Sequence, residues 1–214
     1  MCGAFTVSSF MFFHGFKPRF PFEPSYNVRP TQDAPIITNV GIDLARFGLV
    51  PSWEKTFNTK FSTINARAET VQTSKLYSRL LKQNRCLIPA NSFFEWVTTD
   101  EKIKQPYLFK LKDRKQFFFA GLYDTWHRDK EDEHKSFTII TTQPNEFMSR
   151  YHDRMPKILE KDQEKPWLKE EHVNFNLFFK DKFPSNKLEA YKVSRLVNSP
   201  ANNNPTVIEP LKDN

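Results

Sequence analysis

Seven short runs of β-branched and aromatic residues dominate the chain: Pro35–Val40, Leu44–Val50, Arg85–Pro89, Phe93–Val97, Tyr107–Leu111, Gln116–Tyr123 and Phe137–Thr142. Runs of this length bounded by turn residues read as strands, so the chain must build its core from sheets. Its 15 prolines fall in the connections and mark many turns, and its 22 phenylalanines supply core material. Helical spacing is rarer. Val71, Leu76, Tyr77, Leu80 and Leu81 predict an amphipathic helix over Ala66–Gln83. A second, short helix is predicted over Gln163–Glu171, with Pro166 near its first turn. The charged stretch Arg128–Lys135 reads as a solvated hairpin loop, with His127 and His134 as bystanders. Neither a repeat nor a linker interrupts the 214 residues, so one α+β domain spanning 1–214 is expected, its Asn- and Pro-rich tail from 201 to 214 extended or partly frayed.

With only 5 glycines and neither a P-loop nor a dinucleotide fingerprint, the chain does not read as a glycine-loop nucleotide binder. A net charge of +7 suits an anionic partner, nucleic acid first, although a solvated basic surface would carry the same charge. Two cysteines are too few for a secreted disulfide scaffold, which points to a reducing compartment. Cys86, in a β-like run, reads as a small buried hydrophobe. The five histidines share no ligand spacing with either cysteine, so no metal and no cofactor are expected. The chain shows neither a signal-peptide pattern nor an apolar run of about 18 residues, and a soluble intracellular protein without membrane contact is expected.

Six residues of five types could carry chemistry or binding. Removal of Met1 would leave Cys2 at the N-terminus, where its α-amine and thiol form a 1,2-aminothiol. Both groups titrate near neutral pH, at about 7.7–8.0 and about 8.5 in free peptides, and both are nucleophilic when deprotonated. Glu95 shares a strand face with Phe93 and Val97, where apolar surroundings would raise its pKa and suit it to general acid/base work. The alternative is an edge strand with Glu95 in water. His152, in the polar cluster Tyr151–Pro156, is suited to proton transfer near neutral pH. Asn65 reads as the N-cap of the following helix, able also to aim its amide at a neighbouring site. Arg67 and Arg154, each two residues beyond one of these, are either surface ion-pair partners or phosphate clamps.

Nine strings occur in order: MCGAF, SYNVRPTQ, FGLVPSW, INARAET, RCLIPANSFFEW, KQPYLF, AGLYDTW, FTIITTQPN and HDRMPKIL. Together they resemble the SRAP (SOS-response-associated peptidase) family from Cys2 to about Leu159, with a weaker echo at Val193–Asn198. The resemblance implies a coiled, barrel-like and mostly antiparallel β core with a few short helices, and a basic groove for single-stranded DNA. It implies that Cys2 forms a thiazolidine with the aldehyde of an abasic site, positioned by Asn65, with an AP-lyase side activity. Glu95 and His152 would move protons. Arg67, Arg154 and Lys75 would hold phosphates, and Trp53 and Trp96 would stack on bases, worth roughly 1–3 kcal/mol per base. The family commonly has Arg in place of Ala4 and Trp in place of Phe47. Two other readings stay open. One is a cysteine peptidase or amidohydrolase using Cys2 with His152 as base. The other is a non-covalent reader of modified DNA bases. A monomer is expected, nucleoid-associated in a bacterial cytoplasm or nuclear in a eukaryote.

Overall fold

The computed structural model describes residues 2–9, 16, 18, 20–58, 63–128, 130–169 and 172–211. Its strands are β1 (Phe5–Val7), β2 (Ser25–Val28), β3 (Asp33–Ile37), β4 (Ile42–Phe47), β5 (Asn65–Arg67), β6 (Arg85–Ala90), β7 (Ser92–Thr98), β8 (Lys104–Leu111), β9 (Phe117–Trp126), β10 (His134–Thr142), β11 (Met155–Pro156) and β12 (Leu188–Lys192). Three short helices accompany them: α1 (Ser78–Gln83), α2 (Lys161–Lys169) and α3 (Phe175–Lys180). One sheet runs β12-β8-β7-β1-β2 and the other β11-β10-β4-β3-β6-β9, with β5 added to β10.

Pairing is antiparallel except where β10 lies parallel to β4 and β5. Because β10 also pairs with β9, the path β4-β3-β6-β9 returns to β10 and the sheet curls into a ring. The ring is not a closed barrel of full ladders, since β3 meets β6 at Ile37↔Leu87 alone. This is the α+β architecture expected from the sequence, with the barrel-like core that the family resemblance implies.

Phenylalanines fill the space between the sheets. Phe5 of β1 packs edge-on against Phe47, Phe119 and Phe137 of the curled sheet, at 5.5, 6.0 and 6.5 Å. Phe47 stacks on Phe137 at 5.2 Å and Phe93 on Phe109 at 5.1 Å. All six rings are fully buried, and edge-to-face and stacked pairs of this kind add about 0.5–1.5 kcal/mol each beyond area burial. Gly121 opposes Cys86 in the β6–β9 ladder. A Cβ there would collide with Ile88 and with the Cys86 sulfur, so the strands pack this closely only with glycine.

Three expectations need correction. Ala66–Gln83 is not one helix: β5 takes Asn65–Arg67, hydrogen-bonded turns follow, and only Ser78–Gln83 is helical. The hydroxyls of Thr73 and Ser74 explain the interruption. Thr73 donates to Thr70 O, while Ser74 Oγ accepts from the amides of Leu76 and Tyr77, offering the backbone non-helical partners. Asn65 is therefore a strand residue and not an N-cap.

The second helix begins two residues earlier than expected, at Lys161, because Gln163 reaches back to accept from Glu160 N at 3.2 Å in the manner of a capping box. Pro166 consequently lies inside it, and the expected end, Glu171, lies outside the described residues. The tail is docked through Leu211 and not frayed; residues 212–214 lie outside the described residues. Asn203 Oδ1 accepts from the amides of Tyr26 and Asn27 at 2.6 and 3.1 Å, Val207 is fully buried, and Leu211 N donates to Lys192 O. The charged stretch is an exposed hairpin connection as expected through Glu133, apart from Asp129, which lies outside the described residues, but His134 and Lys135 already belong to β10, paired with Trp126 and Thr125.

Candidate active site

The antiparallel register of β1 and β7, Phe5↔Phe93 and Thr6↔Ser92, sets the site. Phe94 N donates to Ala4 O at 2.9 Å, so the chain ahead of β1 continues alongside β7 toward Glu95. Cys2 is fully buried, its thiol aimed at Ala4 O at 3.9 Å. Burial, and next the Glu95 charge, push this thiol well above the ordinary cysteine range, so it is held as a neutral S–H. Met1 lies outside the described residues.

Asn65 arrives from the second sheet. The parallel pairing Ile139↔Asn65 and Thr141↔Arg67 fixes β5, and alternation buries Ala66 while Asn65 and Arg67 share the opposite face. Asn65 Nδ2 donates to Cys2 O at 3.2 Å and to Ile64 O at 2.9 Å. The amide thereby ties the start of the chain to the curled sheet.

Glu95 is 3% exposed, on the Phe93 face of β7. Burial, its largest perturbation, raises its pKa from 4.5 to about 7. The edge-strand alternative does not hold, because β7 lies between β1 and β8 and the carboxyl is buried. His152 sits on the connection from β10 to β11, which Tyr151 anchors by packing edge-on against Phe109 at 5.0 Å and Tyr107 at 5.2 Å.

His152 Nε2 faces Glu95 Oε2 at 3.9 Å. At its other nitrogen, Arg154 N donates to Nδ1 at 2.9 Å and Asp153 Oδ1 lies at 2.8 Å. Nδ1 cannot accept from the amide and donate to the carboxylate at once, so the two contacts belong to different tautomers or protonation states. The neutral ring that accepts from Arg154 N is the tautomer with its proton on Nε2, toward Glu95. Burial, ahead of the opposing effect of Asp153, lowers the His152 pKa and favours that state.

The residues expected to hold DNA divide into two groups. Arg67, Lys75 and Trp53 are exposed, Trp53 at 59%. Arg154 is buried, and its guanidinium forms a bidentate pair with Glu69 at 2.6 and 2.9 Å and donates to Thr141 O at 2.6 Å. Trp96 is half-buried, donates from Nε1 to Asn198 Oδ1 at 2.7 Å and carries the Arg29 guanidinium over its ring at 5.0 Å. An open pocket of about 440 Å³ is lined by Glu95 and His152 together with Arg29, Trp96, Lys104 and Asn198. Arg29, Lys104, Asn198 and Glu69 are not singled out by residue type in the sequence; Arg29, Lys104 and Glu69 stand inside three of the quoted strings and Asn198 ends the weaker echo, which is the available signal.

The site thus joins a buried carboxyl, a histidine facing it, and the chain's second residue held by Asn65 and sensing the Glu95 charge, on a curled β core. Residues 1–200 match the family described as SOS response associated peptidase (SRAP), and this chain belongs to it. It is similar to Abasic site processing protein YoaM of Bacillus subtilis (strain 168), 41% identical over 222 residues covering 98% of both chains. To Abasic site processing protein YoqW of the same strain it is 40% identical, covering 98% of this chain and 99% of the relative. A crystal structure of a protein from Bacteroides thetaiotaomicron superposes with a TM-score of 0.79 at 29% identity, over 88% of this chain and 86% of that one.

Proposed function

We propose that this protein processes abasic sites in single-stranded DNA by crosslinking itself to them through Cys2. The observation that carries the reading is that four sequence-distant residues, Cys2, Asn65, Glu95 and His152, meet at one end of the β core. The names of the relatives, all abasic site processing proteins, give the substrate class.

The chemistry begins once Met1 is removed. The Cys2 amine adds to the C1′ aldehyde of the ring-opened sugar, and the carbinolamine loses one water to give an imine. The thiol sulfur then adds to the imine carbon, its proton passing to the imine nitrogen, and a five-membered thiazolidine closes. The net loss is one water, with no change of oxidation state.

Glu95, with a pKa of about 7, is present in both forms at neutral pH. Its acid form protonates the departing hydroxyl, and its carboxylate takes the thiol proton, which the buried Cys2 does not release unaided. His152, with its proton on Nε2, serves sugar ring opening and crosslink reversal. Asn65 fixes the Cys2 carbonyl so that amine and thiol share one approach to the carbon.

Arg67 and Lys75 hold flanking phosphates, Trp53 offers an open ring to a base, and Arg154 would contact DNA only by sharing or leaving Glu69. The imine stage also permits β-elimination, an AP-lyase side activity. A peptidase of the cysteine–histidine type is less well supported, because the thiol's pKa is driven up and His152 faces Glu95.

The test mixes the protein with single-stranded DNA carrying one abasic site and runs a denaturing gel without borohydride. A heat-resistant shifted band that Cys2→Ala abolishes supports the crosslink. No band, from protein whose mass shows a free Cys2 N-terminus, rejects it.

A further inference from the structure

The pocket beside Glu95 holds a cation that the chemistry above does not use. Arg29 leaves β2 with its guanidinium laid over Trp96, 5.0 Å from the ring centroid. Its Nη2 donates to Val197 O at 2.7 Å and Asn198 O at 3.2 Å. Asn198 in turn accepts from Trp96 Nε1 through its side chain at 2.7 Å, so guanidinium, indole and carbonyls brace one another. The long side chain has therefore already lost most of its rotamer freedom, which lowers the entropy cost of holding a ligand.

The brace engages only part of the donor fork. The two carbonyls take Nη2 and Nε is buried, which leaves Nη1 as the donor without a partner among the described residues. Both contacts are to neutral carbonyls, and burial lowers the Arg29 pKa, the mark of a charge taken partly out of water. Lys104, Glu95 and His152 line the same pocket. A partly desolvated guanidinium with Nη1 unengaged, sharing one pocket with an ammonium and an acid/base pair, fits a phosphodiester whose sugar enters that pocket.

The role of Trp96 changes with it. One face of the ring is covered by Arg29 and is not open to a base. A fixed guanidinium on an indole is a positioned charge, held there by the attraction of the ring face for a cation.

We propose that Arg29, held on Trp96 and Asn198, is a phosphate-positioning residue that seats the backbone beside the abasic sugar in the Glu95–His152 pocket. The assignment rests on the DNA reading above and deepens it. It gives one wall of the pocket a fixed contact, whereas Arg154 is engaged with Glu69.

The test measures affinity for single-stranded DNA without a lesion, by fluorescence anisotropy across a salt series, and crosslinking of abasic DNA separately. Arg29→Gln keeps a donor for the Val197 carbonyl while removing the charge. Lys130→Ala, on the exposed hairpin connection, is the control for a remote surface charge. Arg29→Gln should weaken binding about tenfold at low salt, as expected for a hydrogen-bonded charge contact. It should also reduce the slope of log affinity against log salt by about 0.7, the loss of one phosphate contact on a single strand. Arg29→Lys should restore the slope and only part of the affinity.

Equal slopes for Arg29→Gln, Lys130→Ala and the wild type overturn the assignment. If Arg29→Gln loses its fold, Arg29→Lys decides alone: full wild-type affinity at every salt concentration overturns the fixed-fork geometry. A wild type that binds DNA but forms no adduct defeats the crosslinking reading and leaves the slopes still to judge Arg29.

Discussion

Cys2 and Cys86 are both free, both fully buried, and both carry thiols pushed up by burial. Their surroundings differ completely. Cys86 lies within β6, opposite Gly121 and beside Ile88, and its carbonyl accepts from the Trp167 indole at 2.9 Å. Cys2 lies ahead of β1 with Asn65 on its carbonyl and the Glu95 charge next to its sulfur. Burial suppresses the thiolate at both positions; only at Cys2 is there a carboxyl titrating near 7 to remove the proton when a reaction requires it. Reactivity here follows from the polar neighbours of the thiol and not from its burial.

The strongest challenge to this contrast is to exchange the two roles by mutation. Cys2→Ala is expected to abolish the heat-stable adduct, since an alanine amine forms only a hydrolysable imine, whereas Cys86→Ala should retain it. Loss of the adduct in both, with both folded, would break the contrast. Next in size, Glu95→Gln should slow single-turnover crosslinking by about 10²–10⁴, the usual weight of a general acid/base. A rate within twofold of wild type would remove Glu95 from the proton path.

The same variant should change stability in the opposite sense. Glu95 is raised from 4.5 to about 7 in the fold, so its favourable contribution is present below about 4.5 and is lost as pH rises through about 7. That gap corresponds to roughly 3 kcal/mol. Glu95→Gln should therefore be more stable than wild type at pH 8 by up to that amount and nearly equal to it at pH 4, as read from urea midpoints. Parallel midpoints across the range would mean that the carboxyl is not desolvated.

The sheet was legible in the sequence because its long strands alternate in hydrophobicity or run apolar throughout; all seven expected runs overlap observed strands. The short elements were not legible. β5 and β11 hold only three and two residues and are extended because β10 offers them partners, which no local pattern records. The Ala66–Gln83 pattern looked helical because Val71, Leu80 and Leu81 are all buried, yet Thr70, Thr73 and Ser74 turn the backbone between them.

At the site, Glu95 and His152 could be picked out by residue type and setting. That Asn65 would reach Cys2 O depended on a parallel pairing with β10, 74 residues downstream at Ile139. Arg154 shows the opposite limit: a basic residue at a suggestive spacing whose partner, Glu69, lies 85 residues away.

The Cys86 side of the contrast has its own, smaller test. Gly121 has no side chain because the space above it is filled by Ile88 and the Cys86 sulfur. Gly121→Ala inserts a methyl between β6 and β9 where neither strand can withdraw, since their ladder runs from Arg85↔Leu122 to Ala90↔Phe117. Overpacking of this kind costs about 1–3 kcal/mol. Combining it with Cys86→Ala removes the sulfur that the methyl meets and leaves only the Ile88 contacts. The double variant should therefore be destabilised by less than the sum of the two single changes, by about 0.5 kcal/mol or more. Strict additivity would show that the sulfur does not fill the space above Gly121, and crosslinking by the folded double variant should match wild type, because nothing at Cys86 takes part in the chemistry.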